Sequence, residues 1–482
     1  MSFSVSPHSG LLPAEPTITH PADSRLAVKR TVHAPELIVL LWLYVVLLII
    51  EGALRKWFLP GLATPLLLVR DPVVLAMYAS AFARGIFPTH PLVLISMVLG
   101  VVTFCFSLFA EQFVPVVAIY GWRSNFLFIP FIFLLPRFVT RKDLVNIGKF
   151  WLIVTIPMCF LLVAQFRQPP DAFINVGVGG TEGFTTSLNK VRTSGTFSFV
   201  NGTVAFLGVA CAFLCYGLFQ RRIFSPWLIT AAGVACIMSI AVSGSRSAVF
   251  VLSQVIFGVL IAGLYRREVL GDAFRMVVLL AMMAAVISQI DIFEEGLEVH
   301  AVRFETAAHQ ENVFARIVEQ FSIDTYLLQI TPLFGFGLGM GTNVGAAYTT
   351  GEIGFLLAEN DWSRVLLESG PVLGLAFIGV RVLLFWHVFW TAFRSMKRGD
   401  ALPFILFSAS SLTILAGQLG QATGLGFIVF TAGLVLAAAN APPEESAEGI
   451  QPAVDSKVVG ASSQSFAPGI RRFRGRSPFS VR

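Results

Sequence analysis

Twelve runs of about 17–23 apolar residues follow one another along this chain. They lie near 36–54, 65–83, 91–109, 115–136, 149–166, 201–219, 226–242, 248–264, 273–290, 365–387, 402–418 and 423–440. Wound as a helix, such a run matches the hydrocarbon thickness of a bilayer, about 30 Å. Backbone inside lipid must bond to itself, and an apolar run of this length does so as a helix. The predicted fold class is therefore an all-α integral membrane protein with about 12 transmembrane helices. The fourth run is interrupted by Gly121, Trp122 and Arg123. It reads either as a broken helix or as a short re-entrant piece followed by a span. Composition supports the class: 13% of residues are charged, against roughly a quarter in a soluble domain. That excludes a cytosolic enzyme, a disordered hub and a secreted disulfide scaffold. Cys105, Cys159, Cys211, Cys215 and Cys236 all sit inside apolar runs, and none belongs to a CxxC or haem motif. The first 33 residues are polar and rich in Pro and Ser, so the first run reads as a retained span rather than a cleaved signal.

Basic residues orient the spans, because Lys and Arg accumulate on the cytoplasmic side. With twelve spans and both termini inside, 22 of the 34 Lys and Arg fall on that side, six of them in the tail. Residues 1–34 are then a disordered cytoplasmic N-terminus. Residues 35–440 form one polytopic membrane domain, and 441–482 a disordered cytoplasmic tail. Two long loops, 167–200 and 291–364, face outward, and long loops carry function more often than short connectors.

The outward side holds arginines that break the charge bias: Arg167, Arg192, Arg246, Arg303, Arg316 and Arg364. Singly, each reads as a headgroup contact or a partner for Glu. Together they suggest an anion site, because guanidinium holds phosphate with two parallel bonds. Arg246 sits in the tight polar turn Ser243-Gly244-Ser245-Arg246-Ser247. Arg192 opens a Gly-containing polar stretch that leads into a span, with Asn201 as its expected helix cap. Val313, Phe314, Ile317, Val318 and Phe321 recur at helical spacing, so 310–328 reads as an amphipathic helix with Arg316 on its polar face. A Gly-alternating loop follows at 331–341. Then come Glu359, Asp361, Arg364 and Glu368 at the mouth of a span. Glu359 or Asp361 is placed to take a proton from a hydroxyl. Arg364 and Glu368 are four apart and fit a simple pair.

Four of these stretches resemble the O-antigen ligase and O-antigen polymerase superfamily of bacterial membrane glycosyltransferases. They are RTSGTFSFVNG at 192–202, SGSRSAV at 243–249, TPLFGFGLGMG at 331–341 and ENDWSRVLLESGPVLG at 359–374. The likeness spans roughly residues 190–390. It implies a GT-C-like helical enzyme with a large periplasmic loop carrying amphipathic helices. It implies a glycan moved from undecaprenyl diphosphate to an acceptor sugar at the periplasmic face. The diphosphate would be held by Arg192, Arg246, Arg303, Arg316 and Arg364. The ligase branch carries a His, a polar residue, nine residues and a Gly. Here Glu359 stands at the His position, Asn360 is the polar residue and Gly370 the Gly. This departure points to the polymerase branch, with Glu359 as base and Asp361 in reserve.

The expected function is polymerisation of lipid-linked glycan repeat units for O-antigen, capsule or exopolysaccharide at the bacterial inner membrane. The alternatives are a ligase acting on a lipid acceptor, or a non-enzymatic carrier or flippase. A carrier would place ionisable groups at mid-bilayer on broken helices, whereas here only Arg123 and Arg381 stand out within spans. The expected partners are the undecaprenyl-diphosphate-linked donor, a glycan acceptor and membrane lipids, with flippase and chain-length regulator proteins as further candidates. No nucleic acid, cofactor or metal is expected.

Overall fold

A computed structural model describes residues 31–441, apart from 111–112, 181–184, 186–187, 221–222, 266, 311–320, 322–324, 352–356 and 359. Among the described residues the secondary structure is helical, with a single antiparallel bridge between Thr185 and Val191. Proline starts many of the helices. Its fixed φ suits the first turn, and the N–H it lacks would have no helical partner there. This applies to α1 (Pro35–Ala53), α3 (Pro91–Ser107), α4 (Pro115–Trp122) and α8 (Pro226–Val242). α2 covers Asp71–Ala83 and α5 Ile129–Phe138. α6 (Arg141–Arg167) starts on a capping box between Thr140 and Asp143. The chain continues through α7 (Val200–Phe219), α9 (Arg246–Tyr265), α10 (Arg267–Ile287) and α11 (Asp291–Gln310). It ends with α12 (Thr325–Ile330), α13 (Asn343–Thr350), α14 (Asp361–Lys397), α15 (Leu402–Ala416) and α16 (Ala422–Asn440).

Eight of the helical stretches are long and apolar enough to cross a membrane. They are Pro35–Phe58, Pro65–Ala83, Pro115–Phe138, α6, α7, α9, α14 and α16. A ninth candidate is bent: α10 and α11 meet at 110°. Three apolar helices, α3, α8 and α15, are shorter at 17, 17 and 15 residues. Each of the twelve apolar runs is thus helical, but eight meet the length of a crossing outright. The interruption in the fourth run is a single wide turn. Arg123–Leu127 form a π-helix between α4 and α5, a local widening that frees side chains for other work.

The core is built around α15, which packs against α7, α9, α14 and α16. α7 and α16 are apolar all round and largely buried, as expected of helices enclosed on every side. Val32 donates to the Arg137 carbonyl at 2.9 Å, so the last residues of the expected N-terminal tail are held to the bundle. The rest of that tail, and the C-terminal tail beyond Ala441, lie outside the described residues. So does most of the expected 310–328 helix. The 291–364 segment, expected as an outward loop, is substantially helical where described, because α11 continues the chain past the bend.

Candidate functional site

The site begins with the polar stretch 191–202, which docks on the end of α1. Thr196 Oγ1 donates to the Ile49 carbonyl at 2.7 Å. A Cβ on Gly52 would overlap the 196–198 backbone, so glycine is what allows that approach. Gly195 adopts a left-handed conformation, φ 58°, and the Gln165 amide clamps it from α6. Gln165 Oε1 accepts from Gly195 N at 2.8 Å and Nε2 donates to Gly195 O at 3.2 Å. From the far side, Lys56 Nζ donates to Gly195 O at 2.7 Å and Ser194 Oγ at 3.0 Å. Arg55 Nη1 donates to Ser198 Oγ at 2.8 Å.

This anchored stretch is one wall of a cavity of about 790 Å³, within the range of small-molecule sites. Its other walls come from residues 60–67, 175–179, α13 and 420–424. Arg55 and Arg192 line it. So do the first residues of three helices: Val200–Gly202 of α7, Asn343 and Val344 of α13, and Ala422–Gly424 of α16. α7 and α16 start without a side-chain cap. Asn201, expected as the cap of α7, is its second residue, and Phe199 holds the cap position. Helix N-termini carry partial positive charge and unbonded N–H groups. Adjacent charge is balanced away from the cavity: Arg70 Nε takes Glu51 Oε2 at 2.9 Å, and Arg123 takes Asp71 with both bonds at 2.7 Å. The wall thus presents two guanidiniums, Arg55 and Arg192, with the Lys56 amine behind it bonded to Gly195 O and Ser194 Oγ.

The predicted site residues separate into three groups. Arg192 lines the cavity. Arg246 and Arg303 stand behind its loop without lining the cavity: Thr193 Oγ1 donates to the Val242 carbonyl at 3.1 Å, and Arg303 Nη1 donates to the Gly244 carbonyl in the adjoining turn. His300 Nε2 lies 3.0 Å from the Ile240 carbonyl on the same face. The structure thus brings Arg192, Arg246 and Arg303 into one neighbourhood, with Arg246 half-buried as the first residue of α9. Arg316 and Glu359 lie outside the described residues.

Arg364 and Asp361 form the third group, and both are fully engaged. Arg364 bonds Asp361 Oδ1 at 2.9 Å, Glu368 Oε2 at 2.7 Å and Asn125 Oδ1 at 2.9 Å. Asp361 Oδ2 accepts from Arg381 Nη1 at 2.5 Å, and Oδ1 also accepts from Leu419 N at 3.1 Å. Arg381 further donates to the Thr413, Ile414 and Gly417 carbonyls, neutralising the negative end of α15. Two carboxylates and two guanidiniums thus form a closed, buried cluster beneath residues 417–420. The Arg364–Glu368 pair is the simple i,i+4 pair that their spacing suggested, and Asp361, the reserve base of the sequence reading, is placed among two guanidiniums and a backbone N–H.

Arg55 and Lys56 are site residues that the sequence alone did not single out. Their signal in the sequence is an adjacent Arg and Lys at the end of the first apolar run. Among the described residues no carboxylate or imidazole lines the cavity, and no three His, Cys, Asp or Glu side chains gather as metal ligands. The chain matches no protein-family model and no curated protein.

Proposed function

We propose that the chain is a membrane glycosyltransferase of the O-antigen polymerase type. It would join repeat units carried on undecaprenyl diphosphate at the periplasmic face of a bacterial inner membrane. In this reading α3, α8, α15 and the bent α10–α11 pair complete twelve crossings of a GT-C-like bundle, and both termini are cytoplasmic. The observation that carries it is the convergence of Arg55, Arg192 and three helix N-termini on one cavity. A diphosphate is the ligand such a wall favours, through charge-assisted bonds and exposed N–H groups. During transfer, the acceptor hydroxyl oxygen attacks the anomeric carbon as its bond to the diphosphate breaks. The cationic wall stabilises the leaving diphosphate. Glu359, near the start of α14, is assigned to take the hydroxyl proton. Asp361, Arg364, Glu368 and Arg381 are assigned to holding residues 417–420 in place.

The test is glycan chain length in a deletion strain. Loss of long polymer, restored by the wild-type chain, is expected. Arg192→Ala, at equal expression, should fail to restore it, because one charge-assisted bond is worth about 1.5–3 kcal/mol. Arg192→Lys should restore it only in part, since Lys lacks the two-pronged fork. Unaltered chain lengths in the deletion strain would end this reading.

A further inference from the structure

Between α1 and α2 the cavity wall is a single strand of chain. Residues 54–70 form a π turn at Leu54–Phe58 and two 3-10 turns, Pro60–Leu62 and Pro65–Leu68. Pro60 and Pro65 contribute no N–H, and 3-10 bonds are geometrically poor. The segment is thus weakly held by its own backbone. Its two faces differ sharply. Pro60, Gly61, Ala63, Thr64 and Leu67 line the cavity. Phe58, Leu59, Leu62 and Leu68 do not line it and are 71%, 43%, 49% and 43% exposed. These side chains sit at the junction of two crossing stretches, Pro35–Phe58 and Pro65–Ala83, so in a membrane-embedded chain they face the edge of the bilayer with one thickness of chain between it and the cavity.

Two arginines tie this segment down. Arg123 Nη2 donates to the Leu67 carbonyl at 3.1 Å, and Arg123 is itself fixed by Asp71. Arg55 Nε donates to the Ala63 carbonyl at 2.8 Å. Arg55 differs from Arg123 because it also lines the cavity, and its nearest carboxylate, Glu51 at 3.6 Å, is shared with Arg70.

We propose that residues 58–68 form a lateral gate latched by Arg55, which opens when the head of a polyprenyl diphosphate binds Arg55 and lets its tail run from cavity to bilayer. The inference rests on the proposed function for the choice of lipid. A phosphate oxygen is a stronger acceptor for guanidinium than a neutral carbonyl, so the head displaces Ala63 O from Arg55. Binding and gate release are then one event. A tail that stays in lipid while its head sits beside Arg55 has this segment between its two ends.

The experiment uses the full chain carrying Leu67→Cys in phosphatidylcholine nanodiscs. A maleimide dissolved in the bilayer labels residue 67, and mass spectrometry of its peptide gives the rate. Farnesyl diphosphate should speed labelling several-fold and pyrophosphate should speed it less. Farnesol, or phosphatidylglycerol in the bilayer, should leave it unchanged. Arg55→Gln should be fast without ligand and indifferent to all four. Equal rates with and without farnesyl diphosphate would overturn the gate, and a rise with farnesol alone would overturn the latch. A rise with phosphatidylglycerol equal to that with farnesyl diphosphate would overturn the choice of lipid. The ligand comparisons keep Arg55 intact, so they stand even if Arg55→Gln misfolds. Glycan chain length separates the two proposals. A gate that responds in a chain dispensable for polymer length leaves the gate and removes the polymerase. A static gate in a chain required for polymer length does the reverse.

Discussion

Arg70 shows how a single residue ties the cavity wall to the core. It is fully buried and bonds Glu51 Oε2 at 2.9 Å and the Ala422 carbonyl at 2.5 Å. One guanidinium thereby joins the end of α1 to the start of α16. Its tip lies where a Cβ on Gly426 would be. Gly426→Ala should therefore push Arg70 off Glu51 and leave a buried carboxylate short of a partner. Losing one member of a buried pair costs about 3–5 kcal/mol, so the variant should unfold at clearly lower temperature, read by thermal melting in detergent. A melt matching wild type would mean that Arg70 has room to move. The same scale explains Asp361. Its sequence position beside Glu359 suggested chemistry, but its environment gives each of its oxygens at least one internal donor.

At the scale of elements, the Gly-alternating loop and the kink in α14 are one device. Gly370 interrupts α14 with φ 80°, and Pro371 follows it. Phe336 N donates to Leu367 O at 2.8 Å, and Gly337 N to Glu368 O at 3.2 Å. The loop thus uses carbonyls that the kink leaves over. A Cβ on Gly370 would overlap the Leu333 carbonyl, and a Cβ on Gly339 would overlap that of Val117. Gly351 has a similar φ of 77°, but a Cβ there would meet nothing within 4 Å. Left-handed strain alone costs about 1–2 kcal/mol. Gly351→Ala should lose about that much stability, while Gly370→Ala should lose substantially more and expose the 333–341 loop to protease. Equal losses would show that contact with the loop adds nothing at Gly370.

For the whole molecule, the open count is the number of crossings. α8 has 17 residues and spans about 26 Å, a few ångströms short of an average hydrocarbon core. Local thinning of the bilayer covers such a gap at modest cost. If α8 crosses, Leu188 and Ser247 are outside and Trp227 inside. An impermeant maleimide should then label Leu188→Cys and Ser247→Cys in intact cells, and Trp227→Cys only after permeabilisation. Trp227 and Ser247 labelling together would place α8 on one side of the membrane and reduce the count.

Much of this protein is written locally. Apolar length and Pro starts determine where the helices lie, because in lipid each helix satisfies its own backbone. The break at Gly121-Trp122-Arg123 was legible for the same reason, as a polar interruption in an apolar run. Arg192, Arg246 and Arg303 stood out in the sequence by their place in the charge pattern, but that Arg192 lines the cavity while the other two do not is given only by the fold. Other features depend on partners distant in sequence. The Arg364–Glu368 pair is local, but Asp361 is also held by Arg381 and by Leu419 N, and Arg364 by Asn125, which lies 239 residues away. Arg55 and Lys56 enter the site because residues 194–198 fold back across some 140 residues to meet them. Whether a charged side chain faces a ligand or an ion partner is decided by which groups desolvate it. Only the tertiary packing of α1, α7, α13, α14 and α16 specifies those groups.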